Sequence, residues 1–363
     1  MSNSPRVSVV MTAYNSASFV RETIESILGQ TFEDFEYIIV DDCSSDETPD
    51  IIRSYDDPRI RHIRNATNQG ISGSRNIGLD AARGEFLAPT DHDDLSLPQR
   101  LAREVAFLDA HPEVVLVAGT ARTLENGRVS KAPPAVTEPH LIRWQLMLSS
   151  PITHSAVCVR LNAIRDHRLY YRPEYHYAED YDLYHRLARI GDLACIDEPV
   201  VVYRYHGDNA SHRYQAEMDA HGKAFLVDVY RELLGDDTTE ADIDRVWRLV
   251  NYGHRARDIA ELEALGAFLA RTLAAYLEKV PLTPGQAEDI RRAASRSWWV
   301  AVAKAARFVD PAALSLYHRF PELARAPRPP GDVLECWLAA AIGPRALARI
   351  RPAVRRLAGR GVS

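Results

Sequence analysis

Apolar residues in the first half of the chain follow two alternating patterns. Short apolar runs of strand length occur at RVSVVM (6–11), EYIIV (36–40), EFLAPT (85–90) and VVLVAG (114–119), and RIRHI (59–63) reads as a further short strand. Between them apolar residues recur at helical spacing. Val20, Ile24, Ile27 and Leu28 share one face of a first helix. A second helix follows Thr48. A third covers SGSRNIGLDAA (72–82) with Ile71, Ile77 and Ala81 inward. A fourth opens at Pro98, with Leu101, Val105 and Leu108 on its face. Runs without polar alternation predict strands buried on both sides. Their alternation with helices predicts an α/β fold, a mainly parallel sheet flanked by helices.

The texture changes near residue 220, where strand patterns stop. KAFLVDVYRELL, ELEALGAFLARTLAAYL and RSWWVAVAKAARFV read as amphipathic helices, separated by the Pro-rich breaks PLTPGQ (281–286) and RAPRPPG (325–331). The pattern divides the chain into an α/β domain over 1–218 and a mostly helical region over 219–363. The last stretch carries Arg345, Arg349, Arg351, Arg355, Arg356 and Arg360 and no acid after Glu335.

Composition narrows the class. A chain of 363 residues, 46% hydrophobic and 26% charged, has ample length for a core. A net charge of −6 argues against a dedicated nucleic-acid binder. The segment Met1 to Arg6 lacks the apolar core of a signal peptide, and no apolar run approaches the roughly 18 residues of a membrane span. Cys43, Cys158, Cys195 and Cys336 are widely spaced and read as reduced thiols. The expected location is therefore cytoplasmic.

Polar clusters follow three of the strands. TAYN (12–15) succeeds the first, DDCSSD (41–46) the second, and DHDD (91–94) the run at 85–90. In open α/β sheets, ligands bind beyond the carboxyl ends of the strands. One such cluster is ordinary turn or capping chemistry. Three at successive strand ends point to a ligand. Closely spaced carboxylates suit Mg²⁺ or Mn²⁺, whose shell is completed by substrate phosphates and water. Asp91 and Asp93, two apart, share a face of an extended segment, and Asp94 points away. No GxxxxGK[ST] loop and no GxGxxG fingerprint is present, which argues against a P-loop kinase or a Rossmann dehydrogenase.

These motifs together carry a resemblance. VSVVMTAYNSASFVRETIESILGQTFEDFEYIIVDDCSSDET, followed by NQGISGSRNIGLDAARGEFLAPTDHDDLSLPQRL, resembles the family 2 glycosyltransferases of the GT-A fold over residues 6 to about 212. The resemblance implies that Thr12, Ala13 and Tyr14 pack around the nucleotide base and that Asp42 bonds the uracil edge. It places Arg75 near the donor, Asp91 near the ribose and Asp93 on the cation. YHYAEDYDLYHRLARIG (175–191) resembles the family's ED segment, with Asp180 as general base and Glu179 as its alternative. VVYRYHGDNAS (201–211) resembles the strand and loop that close the donor site, with His206 as metal ligand or diphosphate contact. His154, in SPITHSAVCVR, lies where the acceptor pocket begins. A helix start rich in acid is also plain charge–dipole chemistry for Glu179, Asp180 and Asp182.

The resemblance implies an inverting transferase using a nucleotide-diphosphate sugar, UDP-linked, with Mn²⁺ or Mg²⁺. Its acceptor would be a glycan or a lipid-linked sugar in bacterial cell-surface glycan or polysaccharide synthesis. Two other readings stay open. A sugar nucleotidyltransferase would carry a glycine-rich basic phosphate loop near its start, where MTAYNSASF has none. A non-catalytic nucleotide-sugar-binding relative would not need Asp42, Asp93 and Asp180 intact. The tail interleaves Ile342, Leu347, Ile350, Val354 and Leu357 with its arginines, a pattern that could seat it peripherally on an anionic membrane. Gly343, Pro344 and Pro352 interrupt that helix.

Overall fold

The structure, a computed structural model, describes residues 4–207 and 209–325. The basic tail, Cys336 and most of the second Pro-rich break lie outside the described residues. Two compact units emerge. One runs to Leu146 and resumes over Ser150–Gly222. The other holds Met147–Ser149 and the residues from Lys223 onward.

The first unit contains β1 (Val7–Ala13), α1 (Val20–Leu28), β2 (Phe35–Asp41), α2 (Thr48–Arg53), β3 (Ile60–Arg64), α3 (Gly70–Ala81), β4 (Phe86–Asp91), β5 (Leu95–Ser96), α4 (Arg100–Ala110), β6 (Val114–Glu125) and β7 (Arg128–Val129). It continues with α5 (Pro139–Leu146), β8 (Val157–Arg160), α6 (Leu161–Asp166), α7 (Glu179–Leu187), β9 (Asp192–Arg204) and α8 (Ala210–Arg213). The nine strands form one sheet in the order β3-β2-β1-β4-β8-β6-β9-β5, with β7 on β6. β3, β2, β1 and β4 are mutually parallel. β8 then joins antiparallel to both β4 and β6, while β6 and β9 run parallel. The apolar runs therefore form the parallel half and β6. The antiparallel strands come from segments whose pattern alone did not mark them.

Both faces of β1, β2 and β4 are covered, which is why those strands read as apolar runs, whereas β3 at the sheet edge is only partly buried and mixes Arg and His with isoleucine. Val7, Val9, Met11, Tyr37 and Ile39 pack with Ile24 and Ile27 of α1 and Leu101, Val105 and Leu108 of α4. On the opposite face α3 lies against β1 and β2. Its inward residues are Ser72, Ser74, Gly78 and Leu79, while Ile71, Ile77 and Ala81 are only partly buried. The reason is distance. A Cβ on Gly78 would stand 2.4 Å from Val10 Cγ1, so a side chain at that point of contact has no room.

Register brings the polar clusters level. Ala13 pairs with Asp41, and Thr12 pairs with both Val40 and Asp91. The carboxyl ends of β1, β2 and β4 thus meet at one edge.

Among its described residues the second unit contains helices and no strand. α9 (Gln215–Leu234) spans the division, followed by α10 (Glu240–Arg245), a π-helical turn over Val246–Asn251, α11 (Ile259–Lys279), α12 (Pro284–Phe308) and α13 (Ala313–Leu316). α10 and α12 each begin with a capping box, Thr239 with Asp242 and Thr283 with Gln286. Leu265, Leu269 and Leu273 of α11 and Trp298 and Val302 of α12 are buried within this unit. No helix among the described residues is long and apolar enough to cross a membrane.

Candidate active site

Two loops at the strand edge lock each other. Asn15 and Cys43 both adopt left-handed backbone, with φ of 47° and 64°. Asn15 N donates to Ser44 Oγ, and Ser45 N donates back to Asn15 Oδ1. Asp41 is fully buried, takes Ser44 N and pairs with Arg64, so it holds the second loop. Asp42 Oδ1 accepts from Asn65 Nδ2 and Gln69 N, and its Oδ2 accepts from Gly70 N. That carboxylate serves the start of α3, where backbone N–H groups need acceptors. Thr12 and Ala13 end β1 above this loop, and Tyr14 is 50% exposed at its edge.

The three carboxylates of DHDD take different partners. Asp91 Oδ1 accepts from Arg75 Nη2 at 3.0 Å, and its Oδ2 accepts from Ser155 Oγ at 3.1 Å. Burial alone would raise Asp91, but the Arg75 guanidinium brings it down to about 2. Asp93 Oδ2 lies 3.0 Å from His206 Nε2 and accepts from Asn209 Nδ2 at 3.1 Å. Asp94 is the most deeply buried of the three. It is 1% exposed, its Oδ1 accepts from Arg204 N, and its Oδ2 is buried without a hydrogen-bond partner. Burial, then the charges of Asp91 and Asp93, push it well above the usual carboxylate range. Like-charge repulsion is thus relieved by pairing one carboxylate with arginine and favouring a proton on another.

Across the site, α7 begins with Glu179 and Asp180. Tyr177, two residues earlier, holds a left-handed φ of 64° and stacks on Tyr214 at 4.7 Å. Glu179 is 3% exposed, and its Oε1 accepts from Arg75 Nη1 at 2.5 Å. Burial pushes Glu179 up, against the pull of Arg75. Asp180 Oδ1 accepts from Tyr181 N. Burial, and next the Glu179 charge, raise Asp180 to about 7.

His154 is buried behind this edge. Its Nδ1 lies 3.2 Å from Tyr184 Oη, and its ring meets Tyr171 edge-on. Burial, reinforced by Arg75, lowers it to about 3, which leaves the imidazole neutral. With Val10, Thr12, Arg75, Pro89, Thr90 and Tyr171 it lines a small cavity.

A sequence profile of the family described as Glycosyl transferase family 2 matches residues 8–176. An uncharacterized glycosyltransferase of Haemophilus influenzae is 31% identical over 237 residues, 61% of this chain and 72% of that protein. The chain belongs to the family 2 glycosyltransferases. The succinoglycan biosynthesis protein ExoO of Rhizobium meliloti is 32% identical over 212 residues, 56% of this chain and 61% of ExoO. In fold, this glycosyltransferase resembles the crystal structure of S. aureus TarS in complex with UDP-GlcNAc. The TM-score is 0.53 at 20% identity, covering 88% of this chain and 89% of that one. The likeness establishes the GT-A architecture.

The folded glycosyltransferase brings Arg75, Asp91, Glu179 and Asp180 into one cluster, and Asp93 with His206 into an adjoining one. Asp42 sits apart, under the loop it anchors. Sequence reading passed over Ser155, Tyr171, Arg204 and Asn209. Arg204 Nε donates to Asp93 O at 2.9 Å, and Arg75 stands 5.5 Å over the Tyr171 ring. Ser155 follows His154 directly, and Arg204 and Asn209 flank His206, so motif context was the signal that would have found three of the four.

Proposed function

We propose that this glycosyltransferase moves a sugar from a UDP-linked donor to an acceptor hydroxyl with inversion. One observation carries the reading. Arg75 bonds Asp91 and Glu179 together, so a donor-side carboxylate and the start of α7 stand within the span of one guanidinium. A sugar seated against this cluster would have the departing diphosphate on one side and Asp180 on the other. Asp180, raised to about 7, is poised to take a proton from the attacking hydroxyl near neutral pH. A single base and a single in-line displacement give inversion.

The residues fit a divalent cation. Asp93 Oδ2 and His206 Nε2 are 3.0 Å apart. Adjacent ligands of an octahedral ion with bonds of about 2.1 Å stand about 3 Å apart. Among the described residues no three His, Cys, Asp or Glu side chains form a ready-made cage. A cation held by Asp93 and His206 would need diphosphate and water to complete its shell. When bound, the ion would neutralise charge growing on the leaving diphosphate. Asn209 and Arg204 hold Asp93 from behind. Thr12, Ala13, Tyr14 and Asp42 would frame the base. His154, buried and neutral, would support Tyr184 and Tyr171 beneath the site in addition to bordering the acceptor side.

A UDP-linked donor is in keeping with the UDP-GlcNAc bound by TarS. Assembly of a surface glycan or polysaccharide is in keeping with the naming of ExoO. The test is nucleotide release from UDP-, GDP- and dTDP-sugars, in Mn²⁺ or Mg²⁺ and in EDTA. Hydrolysis of one donor, lost in EDTA and in Asp93→Ala, is the expected outcome. Failure to bind any nucleoside diphosphate by calorimetry would sink the reading.

A further inference from the structure

Arg100 occupies a position where a helix packed on a sheet ordinarily carries an apolar residue. It is wholly buried in α4, as is its ion-pair partner Glu104. Its Nη2 donates to Pro89 O at 2.8 Å and to Val157 O at 3.0 Å. Its Nη1 donates to Ser96 Oγ at 3.0 Å, and its Nε to Glu104 Oε1 at 3.3 Å. Taking such a charge out of water is costly, and an apolar pair of similar volume often serves stability as well or better. Stability alone gives a weak account of this pair.

The register of β4 and β8 supplies a stronger one. Phe86 faces Arg160 and Leu87 faces Val159. Leu161 N donates to Glu85 O, so hydrogen-bonded pairs fall at 85 with 161 and at 87 with 159. The next such pair is Pro89 with Val157. Proline has no N–H, so Val157 O loses its ladder donor there. Arg100 supplies that donor and also takes Pro89 O. Past this point the strands stay open, and Asp91 meets Ser155 through the side chain, Asp91 N donating to Ser155 Oγ at 3.2 Å. The same guanidinium reaches Ser96. It therefore grips both arms of the carboxylate turn, two residues before Asp91 and two residues after Asp94.

We propose that Arg100 is a positioning residue for the cation-binding turn. It stands in for the N–H that Pro89 lacks, sets the opening between β4 and β8, and fixes where Asp91 and Asp93 sit. The proposal rests on reading Asp93 as the cation ligand and Asp91 as a donor-side carboxylate. Lysine cannot replace it, because a point charge does not span acceptors on three elements as a planar fork does.

The experiment measures nucleotide affinity by calorimetry, in Mn²⁺ and in EDTA. The probe is whichever of UDP, GDP and dTDP the wild type binds best. The variants are Arg100→Lys, the pair Arg100→Met with Glu104→Met, and that pair with Pro89→Ala added. Circular dichroism and thermal melts establish folding. Affinity in EDTA should match the wild type. The gain from Mn²⁺ should fall about tenfold or more, the scale on which groups supporting a metal ligand act. Pro89→Ala should recover part of that gain, because an N–H at position 89 can bond Val157 O directly. A folded Arg100 variant with an undiminished Mn²⁺ gain overturns the proposal. So does a parallel loss of affinity in Mn²⁺ and EDTA, or the failure of every Arg100 variant to fold, since each assigns Arg100 to the core at large. A wild type that binds nucleotide but gains nothing from Mn²⁺ refutes the cation reading instead, and the proposal falls with it.

Discussion

Arg75 Nη1 lies 2.5 Å from Glu179 Oε1, joining residues 104 apart in sequence. The other arm of the guanidinium reaches Asp91 at 3.0 Å. A single side chain of α3 therefore neutralises the end of β4 and the start of α7 together. Removing it would leave the buried Glu179 carboxylate and the partly exposed Asp91 carboxylate without their shared cation. Arg75→Met should destabilise the first unit by about 3–5 kcal/mol, the usual cost of breaking a buried pair from one side. Urea unfolding measures this directly. Arg75→Lys should lose less stability, yet still lose turnover, because lysine cannot bond both carboxylates in one plane.

Asp180 sets the expected pH profile. Burial and the Glu179 charge raise it to about 7, and a general base works only when ionised. Initial rates should climb as pH rises through about 7 and level off above it. A flat profile between pH 5 and 8 would remove Asp180 from that role.

The same shift has a consequence for stability. Folded Asp180 holds its proton more tightly than the unfolded chain, whose aspartates titrate near 3.8. Its contribution is therefore favourable at low pH and is lost as pH rises from about 4 to 7. Asp180→Asn should abolish transfer while stabilising the protein at pH 8, on the order of 2 kcal/mol. Thermal melts at pH 4 and pH 8 should show that gain only at the higher pH.

Asp93 and His206 should differ in degree. Asp93 also receives Asn209, so Asp93→Ala disturbs the loop as well as removing a cation oxygen. His206→Ala removes one candidate ligand and its stacking on Phe19 at 4.2 Å. Manganese titration followed by nucleotide binding should show the larger loss in Asp93→Ala and a partial loss in His206→Ala, with EDTA abolishing the difference.

Gly78 tests how tightly α3 is seated. A methyl there would stand 2.4 Å from Val10 Cγ1 and 3.4 Å from Val40 Cγ2. Gly78→Ala should cost about 1–3 kcal/mol by overpacking, despite the better helix propensity of alanine. Adding Val10→Ala should recover part of the loss, and a double-mutant cycle by chemical denaturation would measure the coupling.

The alternation of apolar runs and helical faces was enough to mark β1, β2, β4 and β6 with their intervening helices, because strands buried on both faces and amphipathic helices leave distinct periods. The order of the motifs was enough for the family. Which partner each polar side chain takes depended on register and crossing strands, and no local period encodes those. The antiparallel entry of β8 places Ser155 beside Asp91 and leaves Pro89 opposite Val157. The turn back from β9 puts Arg204 N on Asp94 and His206 on Asp93, contacts 110 and 113 residues apart in sequence. No local pattern in the sequence marks Asp94 or Arg100 as buried. Only the assembled sheet shows them buried, because burial is decided by what packs against a residue from far along the chain.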